Sequence, residues 1–131
     1  MTRIAPLLAL CALCACNADE TLTAYAADGV TWSLAEMNGQ PFDAKATIQL
    51  GENGSVSGQA PCNSFGAALT VPYPWFELGP IRATKRACVD LAAENAFFNA
   101  LSLMTLAEAN GPNLILSNTE GGQMIFVADR P

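Results

Sequence analysis

Histidine is absent from this 131-residue chain, and basic residues are scarce: six Lys and Arg stand against twelve Asp and Glu, a formal charge of −6. Without imidazole the chain lacks the commonest general base near neutral pH and a principal zinc ligand. After Arg3 the only cations are Lys45, Arg82, Lys85, Arg86 and Arg130. So thin a positive field excludes nucleic acid as a partner and argues against electrostatic docking on anionic lipid. No Ser-centred elbow and no glycine-rich phosphate loop is present, and none of the carboxylates sits in a recognisable catalytic motif. No stretch reaches the roughly 18 apolar residues a transmembrane helix needs. The expectation is a domain that is not an enzyme and carries neither metal nor cofactor.

What is present begins with the opening. Arg3 precedes an apolar run from Ile4 to Ala15, the charged and hydrophobic regions of a secretory signal. Leu13-Cys14-Ala15-Cys16 then resembles the lipobox of bacterial lipoproteins, with Leu three before the modified Cys and a small residue directly before it. Cys11 and Cys14 fit less well, because each follows a Leu. The resemblance implies a signal peptide over 1–15, acylation of Cys16, and residence in a bacterial cell envelope, facing the periplasm. Whether the inner or the outer membrane holds the lipid is open. At about 0.8 kcal/mol per buried methylene, two or more acyl chains hold stably, so the bilayer is a partner through Cys16. Residues 16–29 read as a lipidated tether, Ala-, Thr- and Asp-rich without apolar periodicity, and 30–131 as the domain.

Export leaves Cys62 and Cys88 as the only thiols of the mature domain, in a compartment that favours pairing. The bridge would close a loop of about 27 residues and add roughly 3–4 kcal/mol in the chain-entropy picture. The alternative is a pair of reactive thiols, with Lys85 and Arg86 supplying positive charge to Cys88. Two cysteines are too few for a structural zinc site.

Alternating apolar and polar residues predict strands at Val30–Leu34, Ala46–Leu50, Ser55–Gly58 and Phe65–Val71, and across 104–109, 113–117 and 123–128. Asn38-Gly39, Glu52-Asn-Gly54, Asn110-Gly-Pro112 and Glu120-Gly-Gly122 mark turns. Pro72-Tyr-Pro74 is a break, followed by Trp75–Leu78 as a short edge or barrel-closing strand. Asp90–Leu103 reads as the one helix, N-capped by Asp90, with Leu91, Phe98, Leu101 and Phe97 as its core stripe. Hairpin-linked strands without a βαβ rhythm give an α+β class: a curved or barrel-like antiparallel sheet with a helix over 90–103 inserted before the last strands.

Trp32-Ser-Leu34, Gly39-Gln40, Ser57-Gly58, Cys62-Asn63-Ser-Phe65, Thr84, Cys88, Glu94 and Phe97-Phe98 occur in an order that resembles the META-domain, or HslJ-like, family of bacterial envelope proteins. The likeness covers nearly all of 30–128. Gly66 directly follows Phe65, Lys85 stands where the family has Arg, and the Tyr-Pro-Trp insertion around residue 74 is unusual. The resemblance implies an envelope protein associated with heat-shock or antibiotic stress; together with the missing catalytic motifs, the expectation is a non-catalytic envelope lipoprotein acting through a bound partner. Arg82, Lys85 and Arg86, the only basic cluster, are candidate contacts for that partner. So are Tyr73 and Trp75, on the one stretch suited to projecting an aromatic tip. Two alternatives stand beside this reading: a protease-inhibitor-like or small-ligand-binding barrel, and a thiol-dependent enzyme using Cys62 or Cys88.

Overall fold

The computed structural model describes residues 18–27 and 29–129. The expected signal peptide, Cys16 and Arg130 lie outside them. Nine strands form one antiparallel sheet: β1 (Thr31–Met37), β2 (Gln40–Pro41), β3 (Thr47–Leu50), β4 (Ser55–Gln59), β5 (Ser64–Ala68), β6 (Arg82–Ala83), β7 (Leu106–Asn110), β8 (Asn113–Ser117) and β9 (Gln123–Ala128). Helix α1 (Leu91–Leu103) is inserted before the last three. The order across the sheet is β6-β5-β4-β3-β1-β9-β8-β7, with β2 paired only to β1.

Local chemistry accounts for the register. Asn38 and Gly39 both take positive φ, +52° and +78°, as a two-residue mirror-image turn requires, so Met37 pairs with Gln40. Pro41, which has no N–H to donate, sits on the short side strand β2. Between Leu34 and Glu36 the β1–β9 register shifts by a bulge, and the Ala35 carbonyl turns to accept from Phe42 N–H at 2.9 Å. In β4, Gly58 lies so close to the Thr47 carbonyl and the Phe65 ring that a Cβ there would collide with both.

Period-2 burial places Leu34, Ile48, Val56, Phe65, Leu114, Leu116, Met124 and Phe126 on one face, with Trp32 among them. Helix α1 covers that face through Phe97, Ala100 and Leu101. Phe97 meets Phe65 edge-on at 5.7 Å between centroids. The interior is thus filled by side chains: Trp32, Phe97, Phe126, Leu114, Leu116 and Met124 are each less than 2% exposed.

Three elements depart from the sequence reading. The expected strand at Trp75–Leu78 reduces to two isolated bridges, Leu69 with Leu78 and Trp75 with Leu106. Pro72 and Pro74 withhold donors and fix φ, so no ladder extends through them, and the sheet stays open. The helix stripe is rotated. Leu91 is 39% exposed, whereas Glu94 is 3% exposed and lies in line with Phe97 and Leu101. Asp90 holds the N-cap position without a side-chain capping bond.

The third departure is the tether. Leu22, inside a 3-10 turn at Leu22–Ala24, is fully buried in the core. Thr23 Oγ1 accepts from Gly54 N–H at 3.1 Å, and the Glu20 carbonyl accepts from Tyr73 N–H at 2.8 Å. Asp19 accepts from the Thr23 hydroxyl, the Thr21 hydroxyl at 2.7 Å and Thr21 N–H at 2.9 Å. Polar composition concealed this: one apolar residue, Leu22, carries the burial, and the threonines bond to Asp19 and to Gly54.

Those bonds favour the charged carboxylate. The Thr23 hydroxyl above all, then the Thr21 hydroxyl and N–H, hold the Asp19 pKa at about 2, below the ordinary 3.8. A depressed folded pKa means the contribution to docking is complete above 3.8 and is lost as pH falls from there through about 2. The Thr23 and Gly54 amide resonances are therefore expected to stay unchanged down to about pH 4 and to titrate with a midpoint near 2. In Asp19→Asn that titration disappears.

Candidate functional site

The β4–β5 connection places Cys62 and Asn63 against the loop between β6 and α1, residues 84–90. Cys62 and Cys88 are joined, with Cα atoms 5.6 Å apart and a sequence separation of 26. The disulfide therefore ties the turn of the β4–β5 hairpin to the segment entering the helix. It also takes both thiols that a cysteine nucleophile would need.

Beside it stands a closed polar network. The Glu94 carboxylate accepts from Cys62 N–H at 3.0 Å, Asn63 N–H at 2.8 Å and Asn63 Nδ2 at 2.6 Å. Asn63, buried at 4% exposure, accepts at Oδ1 from Thr84 Oγ1 at 2.9 Å and from Arg86 N–H at 2.5 Å. Its Nδ2 donates to the Arg86 carbonyl at 2.9 Å. The carboxamide thus grips both backbone groups of Arg86, as a paired strand would, and uses both donors and both acceptor positions. Every polar atom of this set faces another protein atom. The arrangement holds three segments together, and Glu94 points at backbone amides, not at solvent.

Sequence reasoning found Cys62 and Cys88, and named Asn63 as a point of family resemblance. It used Glu94 only as a point of family resemblance and missed its burial. A signal was available: Glu94 stands three residues before Phe97 and seven before Leu101, the spacing of one helix face.

The expected contact residues fall into two groups on different loops. Arg82 in β6, with Lys85 and Arg86 beyond it, is exposed, and Val89 beside the disulfide is 98% exposed. The backbone of this loop is pinned by Asn63, so its side chains project from a braced frame. Tyr73 and Trp75 lie on the segment between β5 and β6. Tyr73 does not project: it is half-buried, its ring stacks on Tyr25 at 4.6 Å and 19°, and its hydroxyl accepts from Ala109 N–H at 3.4 Å. Trp75 is 58% exposed and borders an open groove of ≈ 290 Å³ with Val71, Phe76, Glu77, Ser102, Met104 and Thr105. Among the described residues no three His, Cys, Asp or Glu side chains converge as a metal-ligand set, and no helix is long and apolar enough to cross a membrane.

Residues 21–131 match the META domain family. Solved structures share the architecture. An NMR structure of a protein from Burkholderia xenovorans superposes with a TM-score of 0.64 at 21% identity, covering 83% of this chain and 87% of that one. A crystal structure of a DUF4847-family protein from Bacteroides vulgatus gives 0.60 at 13% identity, covering 77% and 93%. At such identities the likeness is one of fold. No curated protein matches the sequence.

Proposed function

The chain belongs to the META-domain family, and from that premise we propose that it is a non-catalytic lipoprotein of a bacterial cell envelope that acts by binding a partner. The observation that carries this reading is the braced loop 84–90. Asn63 holds the Arg86 backbone at two points and the disulfide holds Cys88, while Lys85, Arg86 and Val89 face solvent. A rigid loop loses little conformational entropy on association, and its mixed cationic and apolar tip suits an acidic protein surface or envelope polymer. The chemistry-bearing residues nearby support binding over catalysis, because Asn63, Thr84 and Glu94 are engaged with one another. A small-ligand role is less well supported, since the sheet interior is filled by side chains. Stress or antibiotic tolerance is the physiological setting in which such binding would matter.

Attachment is assigned to Cys16, on the lipobox Leu13-Cys14-Ala15-Cys16. Cys16→Ser is expected to move the protein from the membrane fraction to the soluble periplasmic fraction, read by fractionation and immunoblotting. A variant that still sediments with membranes refutes the lipid anchor. For the binding role, in-cell crosslinking of the wild-type chain is compared with Lys85→Glu/Arg86→Glu. Adducts that form equally with both chains place the contact elsewhere.

A further inference from the structure

We propose that the corner where the exposed rings of Tyr25 and Trp75 flank the half-buried Tyr73 rests on the headgroup layer of the membrane that holds the chain. The inference rests on acylation of Cys16 and adds to it an orientation and a lipid contact.

The first argument is reach. Only Asn17 and Ala18 separate Cys16 from Asp19. A fully extended chain spans about 3.5 Å per residue, so Asp19 lies within about 10 Å of Cys16. From Asp19 onward the backbone is attached to the domain by the Asp19–Thr21–Thr23 bonds, the Thr23–Gly54 bond and the buried Leu22. A free linker of a dozen residues would let a domain tumble above the bilayer. A strap this short brings one end of the domain to the lipid surface and keeps it there.

The second argument is what lies at that end. The Glu20 backbone carbonyl accepts from Tyr73 N–H, and Tyr25 stacks on Tyr73. Trp75 follows two residues later, and Tyr25 and Trp75 are each 58% exposed. Rings with an apolar body and a polar edge are the side chains that settle at the boundary between headgroups and acyl chains. The third argument is charge, and it selects the lipid. Glu20, Glu52 and Glu77 are exposed around the same corner. Glu52 shares a depression with Asp19 and Thr23, and Glu77 a groove with Trp75. Carboxylates so placed repel anionic headgroups, so the contact is with zwitterionic lipid.

The chain has two tryptophans, and Trp32 is 1% exposed, so Trp75 is the indole that reports the surface. The acylated full chain is reconstituted into phosphatidylcholine vesicles whose acyl chains are brominated near the headgroup. Trp75 emission is expected to shift to the blue and to fall about twofold, as for an indole held at the interface. Trp75→Phe should float with the vesicles yet lack the quenchable component. Admixed anionic lipid should reduce the quenching. A flexible Gly-Ser stretch inserted after Asn17 should return Trp75 to water, and quenching that survives it overturns the strap as the cause. If the acylated chain floats while Trp75 stays as open to acrylamide as in Cys16→Ser, the lipid contact alone is overturned. A chain recovered without acyl mass on Cys16 overturns the contact and the lipoprotein reading together.

Discussion

Glu94→Ala is expected to lower the stability of the domain by about 3–5 kcal/mol, since a buried donor left unpaired costs roughly 1–3 kcal/mol and three donors lose their acceptor, less what entering water recovers. Those donors are Cys62 N–H, Asn63 N–H and Asn63 Nδ2. The damage is expected to spread, because Asn63 can clamp Arg86 only while its own carboxamide is held. Glu94→Gln keeps the shape and one acceptor oxygen, but it sets an NH₂ among donors, so a smaller loss is expected. Urea denaturation measures both. Asn63→Ala combined with Glu94→Ala should cost clearly less than the sum of the single changes, as residues of one network do. Strict additivity would mean that the two side chains act independently and that the network is not a unit.

Breaking the Cys62–Cys88 bond is the other large change. With a sequence separation of 26, the chain-entropy relation gives roughly 3–4 kcal/mol. For a domain of this size that corresponds to a melting temperature lower by about 10–20 °C in the presence of dithiothreitol. Cys62→Ala/Cys88→Ala should reproduce the shift and be insensitive to the reductant. Cys88 is exposed, so the reductant reaches the bond without prior unfolding. An unchanged melting temperature would show that the neighbouring hydrogen bonds alone set the geometry of the 84–90 loop. Since bridge and network brace the same junction, Glu94→Ala is expected to be more harmful in the reduced protein than in the oxidised one.

What could be read from the sequence followed from how locally each feature is determined. The last hairpins were legible because apolar alternation and the Asn110-Gly and Glu120-Gly-Gly turns agree in register over β7, β8 and β9. The helix was legible from its Ala- and Leu-rich composition. The cysteine pair was readable because only one pairing remained once Cys16 was assigned to lipid. Features that depend on distant partners were not legible. Glu94 looks like a solvent-facing helix residue until the β4–β5 turn arrives with its amides. Leu22 looks like part of a linker until Gly54 and Tyr73 supply bonds to its neighbours. Trp75–Leu78 has the composition of a strand, yet the flanking prolines leave it without a ladder to join. The likeness to META domains supplied the order of these residues, and the packing supplied their purpose.

The segment from Tyr73 to Phe76 also has a bearing on self-association. A sheet that does not close leaves its last strand with a row of amides able to template another chain. On β7 the outward Ala107 N–H is taken by the Pro74 carbonyl at 2.8 Å and the outward Ala109 N–H by the Tyr73 hydroxyl at 3.4 Å. Phe76 N–H in turn donates to the Thr105 carbonyl at 2.8 Å. The proline-rich loop that fails to become a strand thus shields the rim against foreign strands. Pro72 and Pro74, having no N–H, cannot donate to a ladder with an incoming edge. The domain gains resistance to fibril-like stacking from the segment that breaks its sheet.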